Sequence, residues 1–235
     1  MVKENVTDSY LVKNIHRLIN TYDSQIDEDM RNFIIDRAIQ ERDEIATYDI
    51  LMQAYDEIGV LEDANVYNDF IDLLDNLFGI NQDIIEIGGG LFSRLGHRIA
   101  LKQTAGKVVV YDPKLVLKKH SLNNLHLKRK CFGHDTDLEG SRMLIGISPC
   151  EATQTIIDRA CSENLDFLIS LCPCCIPRHI RETIYDHDFN YSVGYFKEYL
   201  LDELGAQVSN SPIGKLEIVQ MEKSNSPLPV IYNKR

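Results

Sequence analysis

The chain has 235 residues, 44% of them apolar and 26% charged, proportions that exclude a disordered polymer and leave room for one α/β core with a helical appendage. No apolar run approaches the roughly 20 residues of a membrane-spanning helix, and the first twenty residues set charges into every turn, unlike a secretory leader. The net charge of −11 is uneven: residues 1–82 hold 6 Lys and Arg against 18 Asp and Glu, while 83–235 hold 19 against 18, so the acidic first third repels phosphate backbones and the near-neutral remainder can still carry a basic patch.

In chain order, the first eighty residues read as helices. Leu11, Ile15, Leu18 and Tyr22 recur at helical spacing after a Thr-Asp-Ser capping signal. Met30, Phe33, Ile34 and Ala38 make a second stripe; Tyr48, Leu51, Met52 and Tyr55 a third; Phe70, Leu73, Leu74 and Leu77 a fourth that ends near Gly79. Each stripe reads first as packing. Residues 1–80 are therefore expected as a helical N-terminal region, a cap or a layer for substrate or partner, and such a layer can pair with its twin in a homodimer.

From Asp83 the rhythm changes. Residues 83–87, 107–111, 142–147 and 166–171 are short apolar runs that read as buried strands, with a weaker candidate at 126–132. Helical stretches at 151–163 and 177–204 lie between or after them. This alternation predicts a parallel sheet covered on both faces. The tail, 215–223 and then 228–234 across a Ser-Asn-Ser-Pro turn, reads as an antiparallel hairpin.

Between the first two strands stands Glu86-Ile87-Gly88-Gly89-Gly90-Leu91-Phe92-Ser93. A strand running into three glycines and then a helix lets backbone turn sharply and approach a ligand, with helix N–H groups behind it. A dinucleotide loop of G-x-G-x-x-G spacing would need its third glycine at Ser93, so that fingerprint fails. Asp112 follows the next strand, where a carboxylate can accept two ribose hydroxyls, a feature shared by several nucleoside sites.

These residues resemble motif I and the second-strand acid of the class I, Rossmann-like, S-adenosylmethionine-dependent methyltransferases, and the terminal hairpin agrees with that family's last two strands. The resemblance implies a mostly parallel seven-stranded sheet over residues 81–235. It implies S-adenosylmethionine as cofactor, with Glu86, Gly88, Gly89, Gly90, Leu91, Asp112 and Pro113 around its amino-acid and ribose ends. It further implies Asp135 at the adenine and Ser148 in the loop facing the transferred methyl. The loops at Ser148–Thr153 and Ser170–Cys175 are similar to those of a subgroup that includes tRNA 2'-O-ribose methyltransferases, although Ser148 stands where that subgroup has histidine and no histidine follows Cys175.

The later residues name no catalytic base. Cys172, Cys174 and Cys175 lack the paired spacing of a zinc site and make a poor disulfide framework; they read as reduced thiols walling a site in a cytoplasmic protein. Lys114, Lys118, Lys119, His120, Lys128, Arg129 and Lys130 form the basic stretch, ordinarily a solvated face. The expected acceptor is a small molecule first and RNA second, with no membrane partner. A nicotinamide-dependent oxidoreductase and a non-catalytic scaffold are the competing readings.

Overall fold

Apolar runs of four or five residues without alternation are satisfied only by burial on both faces, and four such runs lie side by side here. The computed structural model describes residues 61–90, 93–115, 121–171, 200–221 and 229–234. Its elements are helix α1 (Leu61–Phe78), strand β1 (Ile84–Ile87), α2 (Arg94–Lys102), β2 (Val108–Tyr111), β3 (Leu125–Lys128), β4 (Met143–Ile147), a 3-10 turn (Cys150–Ala152), α3 (Thr153–Glu163), β5 (Asp166–Ser170), a π-helical turn (Leu200–Leu204), α4 (Gly205–Ser209), β6 (Lys215–Gln220) and β7 (Pro229–Lys234). The first three helical stripes and the three clustered cysteines lie outside the described residues, as does most of the helix expected over 177–204. Its end runs on through Ser209 because Val208 is pulled into the core, fully buried.

The seven strands form one sheet in the order β3-β2-β1-β4-β5-β7-β6. β1 to β5 are parallel, and β7 runs antiparallel to both β5 and β6. This is the mostly parallel α/β sheet with a terminal hairpin that the strand pattern predicts, in the seven-stranded Rossmann-like form that the resemblance implies. The order reverses between β1 and β4, and a crevice opens beyond the strand ends at such a reversal.

Each face of the sheet carries its own core. Phe70, Ile71 and Leu74 of α1 and Leu95 and Ile99 of α2 pack on Ile84, Val108, Val110 and Ile145. On the opposite face Ile156 and Ile157 of α3 and Val208 of α4 cover Ile85, Ile87, Val109 and Phe167. Full burial of one such side chain contributes about 1.5–3 kcal/mol. In α1 the buried set is Phe70, Ile71 and Leu74, so the expected stripe is rotated and Leu77 is left 39% exposed. Gly79 ends the helix at positive φ, its N–H donating to Asp75 O.

β3 starts one residue earlier and stops sooner than the 126–132 run suggests. β2 ends at Tyr111, opposite Lys128, so no partner remains for a longer strand. Phe132 instead turns onto the sheet, edge to face with Tyr111 at 5.7 Å. Among the described residues no helix is long and apolar enough to cross a membrane.

One buried amide ties the hairpin to the parallel strands. Asn233, 1% exposed, donates to Leu165 O, Ile213 O and Asp166 Oδ1, and accepts from Phe167 N–H at 2.8 Å. Asn233→Ala should therefore lower the unfolding free energy by about 2–4 kcal/mol, since it strands buried backbone groups. A urea titration with an unmoved midpoint would show that the amide is not a brace.

Candidate functional site

The loop after β1 is shaped by what has no room for a Cβ. Gly88 continues the ladder, its N–H donating to Tyr111 O at 3.0 Å, and then turns at φ 81. A Cβ on Gly89 would stand 2.5 Å from Val110 Cγ1, and one on Gly88 3.0 Å from Pro149 Cα. Gly90 differs. Its φ of 68 suits glycine, but a Cβ there would meet nothing within 4 Å among the described residues, so among them its main chain borders open space.

Glu86 lies beneath this turn. Its side chain is buried, and Oε2 accepts from Ser93 Oγ at 2.7 Å and from Gly96 N–H at 2.9 Å. Burial pushes its carboxyl up to about 7, the two hydrogen bonds pull it back, and the nearby Asp112 charge raises it further. Glu86 thus joins the strand end to the start of α2 and acts on a ligand through the loop. The two residues it holds were not singled out in the sequence. Gly96 carried a legible signal: it is a poor helix former placed in the first turn of a helix, and a Cβ there would stand 2.4 Å from Glu86 Oε2. Ser93, left-handed at φ 48, carried none.

Asp112 closes the other side. Its Oδ2 accepts from Gly90 N–H at 2.9 Å and its Oδ1 from Lys114 N–H at 2.6 Å. The glycine loop and the second-strand acid, expected together, meet through one hydrogen bond. Each carboxylate oxygen keeps a second lone pair for a ligand hydroxyl. Pro113 is exposed beside it, its carbonyl accepting from Arg129 Nε at 3.4 Å.

The loop after β4 forms the opposite wall. Ser148 and Cys150 both hold positive φ, 52 and 50, a conformation that costs an ordinary residue about 1 kcal/mol or more. Ser148 N–H donates to Ser170 O at 2.7 Å, and Pro149 rests on Gly88. Gly146 makes that approach feasible, because a Cβ there would fall 2.8 Å from Ile87 O; a glycine inside a strand was its signal. Ser170 Oγ, at the end of β5, is buried without a hydrogen-bond partner among the described residues.

Asp135 is placed differently. It is exposed in a turn where Gly133 and Thr136 bond to each other, and Arg159 of α3 holds the carbonyls of both at 2.8 and 3.0 Å. No hydrogen bond links it to the glycine loop or Asp112 among the described residues. Leu91 lies outside them. No group of three His, Cys, Asp or Glu that could hold a metal occurs among the described residues. A separate cleft of about 350 Å3 lies at the opposite strand ends, lined by Leu77, Phe78, Asp166, Tyr232, Asn233 and Lys234. Asp166 and Asn233 bond to each other there, so that cleft is built around the hairpin brace.

No protein-family model matches the chain, and no curated protein matches its sequence. Among solved structures, the chain is similar to a Staphylococcus aureus protein provisionally named a caffeoyl-CoA O-methyltransferase, at 8% identity over 94% of this chain and 99% of that one, with TM-score 0.43. The 23S rRNA methyltransferase ErmE aligns at 14% identity over 72% and 67%, with TM-score 0.36. A Bordetella parapertussis protein provisionally described as exported aligns at 13% identity, with TM-score 0.40, over 71% of this chain; the chain spans 66% of that protein's length. At these scores none of the likenesses assigns an activity.

The raised Glu86 carboxyl has a signed consequence. Between pH 4.5 and about 7 the folded chain keeps a proton that the unfolded chain has lost, so this contribution to stability is full at low pH and disappears as pH rises through 7. Glu86→Gln should abolish it. Measured by urea titration at pH 5 and pH 8, the variant should gain on the parent by about 2.5 kcal/mol across that interval. A difference independent of pH would mean that Glu86 is ionised throughout.

Proposed function

We propose that the chain is an S-adenosylmethionine-dependent methyltransferase whose cofactor lies across the Gly88–Gly90 turn. The observation that carries this reading is the hydrogen bond from Gly90 N–H to Asp112: bare main chain and a carboxylate lie side by side at the point where the strand order reverses. The open space at Gly90 fits the amino-acid end of the cofactor, and the remaining lone pairs of Asp112 fit its ribose hydroxyls. Glu86 serves as a positioning residue that keeps the turn and α2 in place.

The charge of the crevice supports a sulfonium over a dinucleotide. The Asp112 carboxylate flanks the loop, and its field favours a cation and opposes a pyrophosphate; Glu86, whose burial holds its proton up to about pH 7, adds to that field only as pH rises through that value. The Gly96 N–H, one of the helix-start donors that a pyrophosphate would use, is already spent on Glu86.

When bound, the cofactor supplies an electrophilic methyl on a positively charged sulfur. The chain's own work is alignment and exclusion of water. The strained Ser148–Cys150 turn, pressed against Gly88 through Pro149, walls the side on which an acceptor would approach. The orphaned Ser170 hydroxyl beside it offers one unspent hydrogen bond.

Calorimetric titration with S-adenosylhomocysteine should give saturable binding. Asp112→Ala and Gly90→Ala should each weaken it at least tenfold, or about 1.4 kcal/mol. Gly90→Ala meets no described neighbour but strains the backbone at φ 68, so Asp112→Ala is the cleaner test, with circular dichroism checking that each variant keeps the parent's fold. A folded parent that binds no S-adenosylhomocysteine, or that binds NADH in its place, would sink the reading.

A further inference from the structure

We infer that the rim formed by the loop after β2 and the end of β3 is a docking surface for the phosphate backbone of a single nucleic-acid strand. The inference concerns binding alone and stands apart from methyl transfer.

From Pro113 to Cys131 the sequence contains Lys114, Lys118, Lys119, Lys128, Arg129 and Lys130 with two histidines and no Asp or Glu, in a chain whose net charge is −11. The structure gathers the described members at one place. Lys114 lies two residues beyond Asp112, with its N–H on that carboxylate. Arg129 Nε reaches the Pro113 carbonyl at 3.4 Å, which sets the two loops beside each other. Lys130 stands 5.2 Å over the Tyr111 ring. Lys114, Arg129 and Lys130 are exposed. Glu139, an acid on this side, is engaged by Lys107 and Lys128, and Asp112 accepts from the backbone N–H groups of Gly90 and Lys114. Among the described residues no acid pairs with Lys114 or Lys130.

Two simpler readings fall short. Lysine on an edge strand blunts sheet-to-sheet pairing, and β3 is an edge strand. That accounts for Lys128, which lies in the ladder, but not for Lys114, Arg129 or Lys130, which lie beyond the ends of β2 and β3. A pocket for one small phosphate would converge on a buried cation, and these three are spread along an open rim. Separate exposed cations each bind a phosphate weakly, and only a polyanion sums them through counterion release. The acidic residues 1–82 oppose such binding through their net charge, and salt screens that opposition.

Fluorescence anisotropy with a labelled 20-nucleotide RNA tests this. Affinity should fall with salt, with a log–log slope near −2 for about three phosphates. The combined K114E/R129E/K130E variant should bind at least tenfold more weakly, while Lys215→Glu, at the opposite edge of the sheet, should bind as the parent does. Lys130→Glu alone should weaken RNA binding severalfold and leave the S-adenosylhomocysteine titration unchanged, so the two readings fail separately. The inference is overturned if RNA does not bind at low salt or if the patch and control variants bind alike. Poly-glutamate of equal charge binding as well as RNA would assign the rim to an acidic protein. Displacement of the RNA by tripolyphosphate beyond the effect of matched ionic strength would assign it to a small ligand. Either result overturns the inference as well.

Discussion

The Glu86 carboxylate accepts hydrogen bonds from the Ser93 hydroxyl and the Gly96 amide, and through them decides where the glycine turn stops and where α2 begins. Removed from water, an ionised carboxylate is costly unless such donors surround it. Their supply constrains everything nearby. Gly96 must lack a Cβ to let the oxygen in, Ser93 must adopt a left-handed conformation, and Gly89 must pass against Val110. The turn is held from below, and its upper side is left to Gly90 and Asp112.

That arrangement explains why the crevice lies where it does. β1 and β4 diverge in their connections, one leading to α2 on the first face and the other to α3 on the second. The gap between the two departing chains is bridged by Pro149 resting on Gly88, which Gly146 permits. Backbone strain at Ser148 and Cys150 is sustained by the ladder bond to Ser170 and by the start of α3 behind it. Two acids and no described cation line the floor of the gap, while cations gather on its outer rim.

The strands were legible because their burial leaves a simple record. Residues 84–87, 108–111, 143–147 and 166–170 are apolar almost without a break, and only double-sided burial demands that. β3 is less legible, since Leu125, Leu127 and Phe132 make one apolar series in sequence although Phe132 leaves the ladder. In α1 the stripe placed the helix correctly and its rotation slightly wrongly: Ile71 displaced Leu77, a choice made by the shape of the sheet rather than by helical spacing. The turn that carries Asp135 is anchored by Arg159, from a helix more than twenty residues away, a contact that no local pattern in the sequence announces.

By itself the sequence determined the sheet's composition, the glycine turn and the acid that follows the next strand, since periodicity and the lack of a Cβ are properties of the chain itself. Tertiary structure alone decided that Glu86 faces inward to the start of α2, that Gly90 and Asp112 share a hydrogen bond, and that Arg129 reaches the Pro113 carbonyl. The physical reason is distance along the chain. These pairs are separated by 10, 22 and, for the Arg129 contact with Pro113, 16 residues. Their meeting is set by strand register, which local sequence does not encode.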